Sequence, residues 1–137
     1  MLKISRGILV ALLLLTTACT MLPSHKDDFT KKNEDFMMRV RWLDIPGASL
    51  HFEKEYRQEL VERFEESEDL KITGFEMARA DIDIPEEKVV VHYRLEYYIL
   101  PSVTVKKKKF SLTWEQPAVD SSGNAYWRIT EPFPELP

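Results

Sequence analysis

Residues 89–99, Val-Val-Val-His-Tyr-Arg-Leu-Glu-Tyr-Tyr-Ile, decide the fold class. Val89, Val91, Tyr93, Leu95, Tyr97 and Ile99 hold the odd positions, while His92, Arg94 and Glu96 hold even ones. Side chains alternate across a strand, so this period of two predicts one buried and one wet face, as in an antiparallel sheet covered on one side. Pro101-Ser102 closes the strand.

The neighbouring segments continue the sheet in both directions. Upstream, Ile72, Phe75 and Met77 predict a strand bent or bulged at Gly74, with 81–85 continuing as strand edge and turn. Downstream, residues 103–115 run back with a change of phase: Val103 and Val105 are odd, whereas Phe110, Leu112 and Trp114 are even. A bulge between the two groups is expected to restore a common face. Residues 120–124 form a turn with Gly123-Asn124 tolerant of positive φ, and Ala125, Trp127 and Ile129 make a last strand. The proline-rich 132–137 tail cannot continue a sheet centre.

Before the sheet the period is helical. Phe36, Met37, Val40 and Leu43 recur at three- and four-residue spacing, and Pro46-Gly47 is expected to end that helix. Residues 48–52 suit a short helical turn; Phe52, Tyr56, Leu60 and Phe64 then step by four along a longer helix reaching about Glu66. Helices first and antiparallel strands afterwards predict an α+β domain, its helices packed on a curved sheet of about four strands around a cone-shaped pocket.

The first residues differ in kind. Lys3 and Arg6 precede an apolar run, 7–15, too short to span a bilayer, and Thr16-Thr17-Ala18 supply small residues before Cys19, the only cysteine. This is signal-peptide grammar, and 15–19 resembles a bacterial lipobox with Thr16 where leucine is usual. An odd cysteine outside the cytosol needs an explanation, and acylation of Cys19 provides one. The expected organisation is a signal peptide at 1–18, a lipidated cysteine and flexible tether at 19–30, and a single domain at 31–137. Thr20 is not the aspartate that marks inner-membrane retention, so the expected location is the outer membrane, lipid-anchored and facing the periplasm. Removing 1–18 takes away Lys3 and Arg6, leaving 17 Lys+Arg against 23 Asp+Glu and a net charge of about −6, which argues against general nucleic-acid binding.

Arg41-Trp42 on the first helix, Ala48 after a short break, Tyr97-Tyr98 before Leu100-Pro101-Ser102, Trp114, and Trp127 before Pro132-Phe133-Pro134 together resemble a group of small bacterial lipoproteins. Their domain is of the nuclear transport factor 2-like, or cystatin-like, type. The resemblance covers about 33–134 and implies N-terminal helices capping a strongly bent antiparallel sheet. Relatives of that fold include isomerases and dehydratases with an acid, tyrosine or histidine inside an apolar cone, but no motif in this chain maps onto such a set. The matching residues concern packing and turns, so they speak to architecture.

Candidate chemistry is sparse. Tyr93, Tyr97 and Trp127 are the candidate pocket lining, since buried tyrosine hydroxyls need partners and can orient a ligand. His92, Arg94 and Glu96 read as a solvent face, Asp81, Asp83, Glu86 and Glu87 as a solvated turn without an EF-hand pattern, and Glu65, Glu66, Glu68 and Asp69 as a charged helix exit. Lys106 to Lys109 read first as protection of an edge strand, and second as contacts for acidic lipid or an acidic partner. No catalytic residue, metal site or cofactor is assigned. The leading expectation is a non-catalytic binding or interaction module, with the membrane reached through Cys19 and an envelope protein or a second copy as partner. A carrier of a small apolar ligand comes second, and an isomerase- or dehydratase-type enzyme third.

Overall fold

The computed structural model describes residues 25–136 apart from 84, 120, 122 and 124. Cys19, the signal segment, and Asn124 of the expected turn lie outside the described residues. Helix α1, His25–Arg41, begins six positions before the expected Lys31, so 25–30 are not tether. Phe29, Asn33, Phe36 and Val40 step by four, three and four, and all four are buried. Asn33 interrupts the apolar spacing, which hides the first turns of this stripe from a hydropathy reading; inside the protein it serves as a polar member of the same face.

The first helix stops earlier than Pro46-Gly47. Leu43 adopts a positive φ of 59° and is partly exposed, rather than sitting on the buried face assigned to it. Asp44 then caps helix α2, Ile45–Ser49, accepting from the Gly47 N–H at 3.1 Å. Proline is tolerated in a first helical turn, where its missing N–H has no partner to lose, so Pro46 starts this element instead of ending the last. Helix α3, Lys54–Glu65, buries Leu60 and Phe64, with Tyr56 half-buried and Phe52 buried just ahead of it.

Four antiparallel strands follow as a meander: β1 Leu70–Asp83, β2 Lys88–Ile99, β3 Lys106–Val119 and β4 Ala125–Ile129. β2 behaves as its alternation requires, with Val89, Val91, Tyr93, Leu95 and Tyr97 all buried. β1 slips register against it twice, between Ile72 and Gly74 and between Met77 and Arg79. The first slip is the bulge expected beside Gly74, and it carries the inward face from Leu70 and Ile72 to Phe75. The bulge expected before Phe110 is absent: 106–115 pair with 97–88 without a shift. Val103 and Val105 lie outside the strand and are exposed, so no phase has to be reconciled. The slip in β3 falls instead against β4, between Glu115 and Ala118, where Pro117 lacks the N–H a ladder needs.

The sheet curls around α1 as a half-barrel, an α+β fold with three helices on its concave side. Phe36 sits at the centre, its ring 5.7–5.9 Å from those of His51, Phe52, Phe75, Tyr93 and Trp114. Phe29 adds edge contacts to Trp114 and Trp127 at one end. Past β4 the chain turns back, and Phe133 packs on Phe52, Phe64 and Phe110. The concave side is thus occupied by aromatic rings from helices and tail, each able to contribute about 0.5–1.5 kcal/mol beyond simple burial.

Candidate functional site

The three side chains expected to line a pocket are core instead. Tyr93 is 1% exposed, and Tyr97 and Trp127 are also buried. The Tyr93 hydroxyl donates to Asn33 Oδ1 at 2.5 Å and accepts from Trp114 Nε1 at 2.9 Å, which uses its donor and one lone pair within the protein. Asn33 also reaches Met77 Sδ at 3.5 Å. Burial raises the phenol pKa well above its usual value, so the hydroxyl stays protonated. This chain of groups joins α1, β2 and β3 and holds the helix in the half-barrel.

A second polar group, unmarked by any motif, lies where α1 meets the loop before α3. His51 Nε2 is 2.7 Å from Asp35 Oδ2, which also accepts from Arg39 Nε at 2.7 Å. Arg39 extends to Asp44 Oδ2 at 2.6 Å. Gly47 lies beneath that bridge, where a Cβ would come within 2.2 Å of both Arg39 Nη1 and Asp44 Oδ2. The hydrogen bond from Arg39 holds the Asp35 carboxyl below the usual carboxylate range, against the opposing effect of burial. Burial depresses the His51 pKa more than Asp35 raises it, so the ring is neutral at pH 7.

An Asp–His pair of this kind can orient an imidazole for proton transfer. Here, however, the ring lies edge-on to Phe36 and Trp114, and Nδ1 is buried without a hydrogen-bond partner among the described residues. The backbone at this position is clamped as well: Ile129 N–H donates to the His51 carbonyl at 2.8 Å, and Glu53 N–H to the Ile129 carbonyl at 2.9 Å. The dyad is ordered but closed to a substrate.

The convex face of the sheet is a lattice of exposed charges. Asp81 Oδ2 receives Arg79 and His92 at 2.9 Å each, Arg94 pairs with Glu76, and Lys107 with Glu96 at 2.9 Å. The bond from His92 holds Asp81 low, and that from Lys107 holds Glu96 low. Such cross-strand pairs fit a wet face and contribute little each. Lys106 to Lys109 lie on β3 beyond the reach of β4, which pairs only with 114–119, and Lys108 reaches the Glu135 carbonyl of the C-terminal tail.

Leu50, Met77 and Ile82 are exposed singly, and other exposed apolar side chains gather at the end of the domain where α1 finishes. Trp42 is 76% exposed, with Met38 and Leu43 beside it in sequence. Leu43, Ile45, Val61, Phe64 and Leu70 floor a groove of about 240 Å³ whose rim carries Glu65 and Glu68. A second recess of about 340 Å³ shares Glu65, Glu68 and Leu70 and adds Glu66, Asp69 and Ile99, making one trough. The Leu100 N–H bonds the Asp69 carbonyl, which brings the β2–β3 connection with Val103 and Val105 to this same end. Among the described residues, no group of three or more His, Cys, Asp or Glu is placed to hold a metal ion.

Sequence reasoning missed Asp35 and His51 because their partnership joins a helix to a loop 16 positions away, which no local period encodes. Trp42 has a signal, a large aromatic ring just past the end of α1, two positions beyond Val40 of its buried stripe.

No family model matches the chain, and neither does any curated protein. Among solved structures, a SEC-C motif containing protein from Psychrobacter arcticus superposes with a TM-score of 0.61 at 7% identity, over 81% of this chain. This chain spans 63% of that protein's length. At such identity the likeness shows the fold alone.

Proposed function

We propose that the chain is a lipid-anchored protein of the cell envelope whose domain is a non-catalytic interaction module, held through acylated Cys19 and facing the periplasm from the outer membrane. One observation carries this reading: Trp42, the most exposed aromatic ring, and the trough beside it lie at the far end of α1 from its start. Helix α1 has 17 residues, so it is about 25 Å long at 1.5 Å per residue. Its start follows Cys19 by six positions, a reach of roughly 20 Å at most even when fully extended. A lipid at Cys19 therefore keeps the start of α1 near the bilayer and leaves Trp42 and the trough, a helix length further on, free to meet soluble partners. Large apolar surface facing water is the usual mark of a contact site.

The filled concave side weighs against a small-ligand carrier, and the closed Asp35–His51 pair against an isomerase- or dehydratase-type enzyme. The experiment is envelope fractionation of the full chain in a Gram-negative host grown with a clickable palmitate analogue, alongside photo-crosslinking. Wild type should carry the label in the outer membrane, and Cys19→Ser should lose both label and membrane fraction. A photo-reactive residue at position 42 should capture protein, and one at exposed Lys31 should not. Unlabelled wild type would sink the anchor, and equal capture at both positions would sink the distal contact site.

A further inference from the structure

We propose that the partner of the distal trough is a second copy of this chain, with the Val103–Lys106 segment of each copy lying in the trough of the other. The idea rests on the interaction-module reading. The trough has an apolar floor, Leu43, Ile45, Val61, Phe64 and Leu70, and an acidic rim of Glu65, Glu66, Glu68 and Asp69. None of those four carboxylates makes an ion pair with a described residue, and they crowd the C-terminal end of α3, where the helix dipole adds to their repulsion. A fitting occupant is an extended segment with apolar side chains followed by cations.

The chain contains such a segment at the same end. Val103 is 76% and Val105 47% exposed, residues 102–105 belong to no ladder, and Lys106 to Lys109 follow directly. Lys107 is engaged by Glu96 and Lys108 by the Glu135 carbonyl, and Lys109 lies on the convex face opposite Arg94; Lys106, opposite Tyr97 on the helix side of the sheet, has no ion-pair partner among the described residues. Within one copy the segment does not lie in its own trough: the trough opens beside the start of β1, the segment leads into β3, and β2 stands between. Two strand spacings separate them by about 10 Å. A two-fold axis passing near the end of β2 therefore lets both exchanges form at once, the self-complementary arrangement that closed dimers require. Anionic lipid is the poorer occupant, because the rim carboxylates repel its headgroups.

The test uses the full chain as isolated from the envelope, in excess detergent micelles, with self-association read by energy transfer between two dye-labelled pools. Wild type should associate, and affinity should fall about tenfold or more between low and about 0.5 M salt, as screening shortens. Lys106→Glu should abolish self-association, as should the Glu65→Lys/Glu68→Lys pair. Mixing the two variants should restore association, since each trough then meets a segment of opposite charge. Accidental sharing of a micelle cannot produce that pattern, and circular dichroism confirms that both variants are folded. Wild type that stays monomeric at about 100 μM, a dimer indifferent to both reversals, or a mixture that stays apart would each overturn the proposal. So would a trough that binds a free Val-Thr-Val-Lys-Lys-Lys-Lys peptide while wild-type chains ignore one another, which would point to a foreign basic partner. An unlabelled Cys19 would defeat the anchor and leave this result standing.

Discussion

His51 and Asn33 show how polar residues can hold a core together from within. The His51 ring is neutral in the folded protein because burial lowers its pKa below the ~6.5 of a free imidazole. As pH drops through that value the unfolded chain takes up a proton that the folded chain refuses, so stability should decline from about pH 6.5 downward until the folded ring itself titrates. Around this ring stand Asp35 and Arg39 from α1, with Lys32 and Arg128 adding repulsion to its charged form. Asp35, held low by Arg39, should keep its contribution until pH falls below the ordinary carboxylate range of about 4. Urea titrations of wild type and His51→Gln at pH 7, 6 and 5 check this. The glutamine does not titrate, and its curve should be flatter; an equally flat wild-type curve would rule out a neutral His51. Removing the acceptor of the buried Tyr93 hydroxyl by Asn33→Ala should cost about 1–3 kcal/mol in the same assay. Neither residue announces itself in the sequence, because each gains its meaning from a partner 16 or 60 positions away.

The elements divide by how much of their environment is local. β2 could be read outright, since its two faces meet uniform surroundings, rings on one side and water on the other. The long helix with Leu60 and Phe64, and the bulge near Gly74, were legible for the same reason. The start of α1 was not, because Asn33 breaks the apolar stripe where Phe29 still belongs to it. Phe29→Ala should therefore cost about 3 kcal/mol or more in chemical denaturation, a core-sized effect, whereas a tether residue would change stability by no more than about 0.5 kcal/mol. The end of α1 is not legible because Pro46, whose residue type reads as a stop, is a first-turn residue of α2. The phase change between Val105 and Phe110 was misread because an exposed connection was counted as strand.

For the whole molecule, composition and element order made the α+β layering legible, but not the state of the concave side. Tyr93, Tyr97 and Trp127 do face inward, as their periodicity requires. Whether inward means cavity or core depends on how far Phe36, Phe29 and Phe133 reach across, and that is decided by contacts between distant segments. The trough beside Trp42 is likewise invisible in the sequence, because it forms only where α1 and the β2–β3 connection share an end. Trp42→Gln should leave unfolding free energy within about 0.5 kcal/mol of wild type, since the ring is mostly in water. It should also weaken every contact made at that end, as read by crosslinking from a neighbouring position. A large loss of stability would instead make Trp42 part of the core.

The contact of Phe29 with Trp127, 98 positions downstream, and the seating of Phe133 on rings from α3 and β3 bear on the order of events during synthesis. The first helix has no completed surface to pack on until the last strand has been made, and the core has no lid until position 133 emerges. Contacts so far apart in sequence carry a large loop-closure cost before they are rewarded, which slows folding. A growing chain of this protein thus cannot close its core before residue 133 has emerged, and the closing step gathers both ends of the domain together.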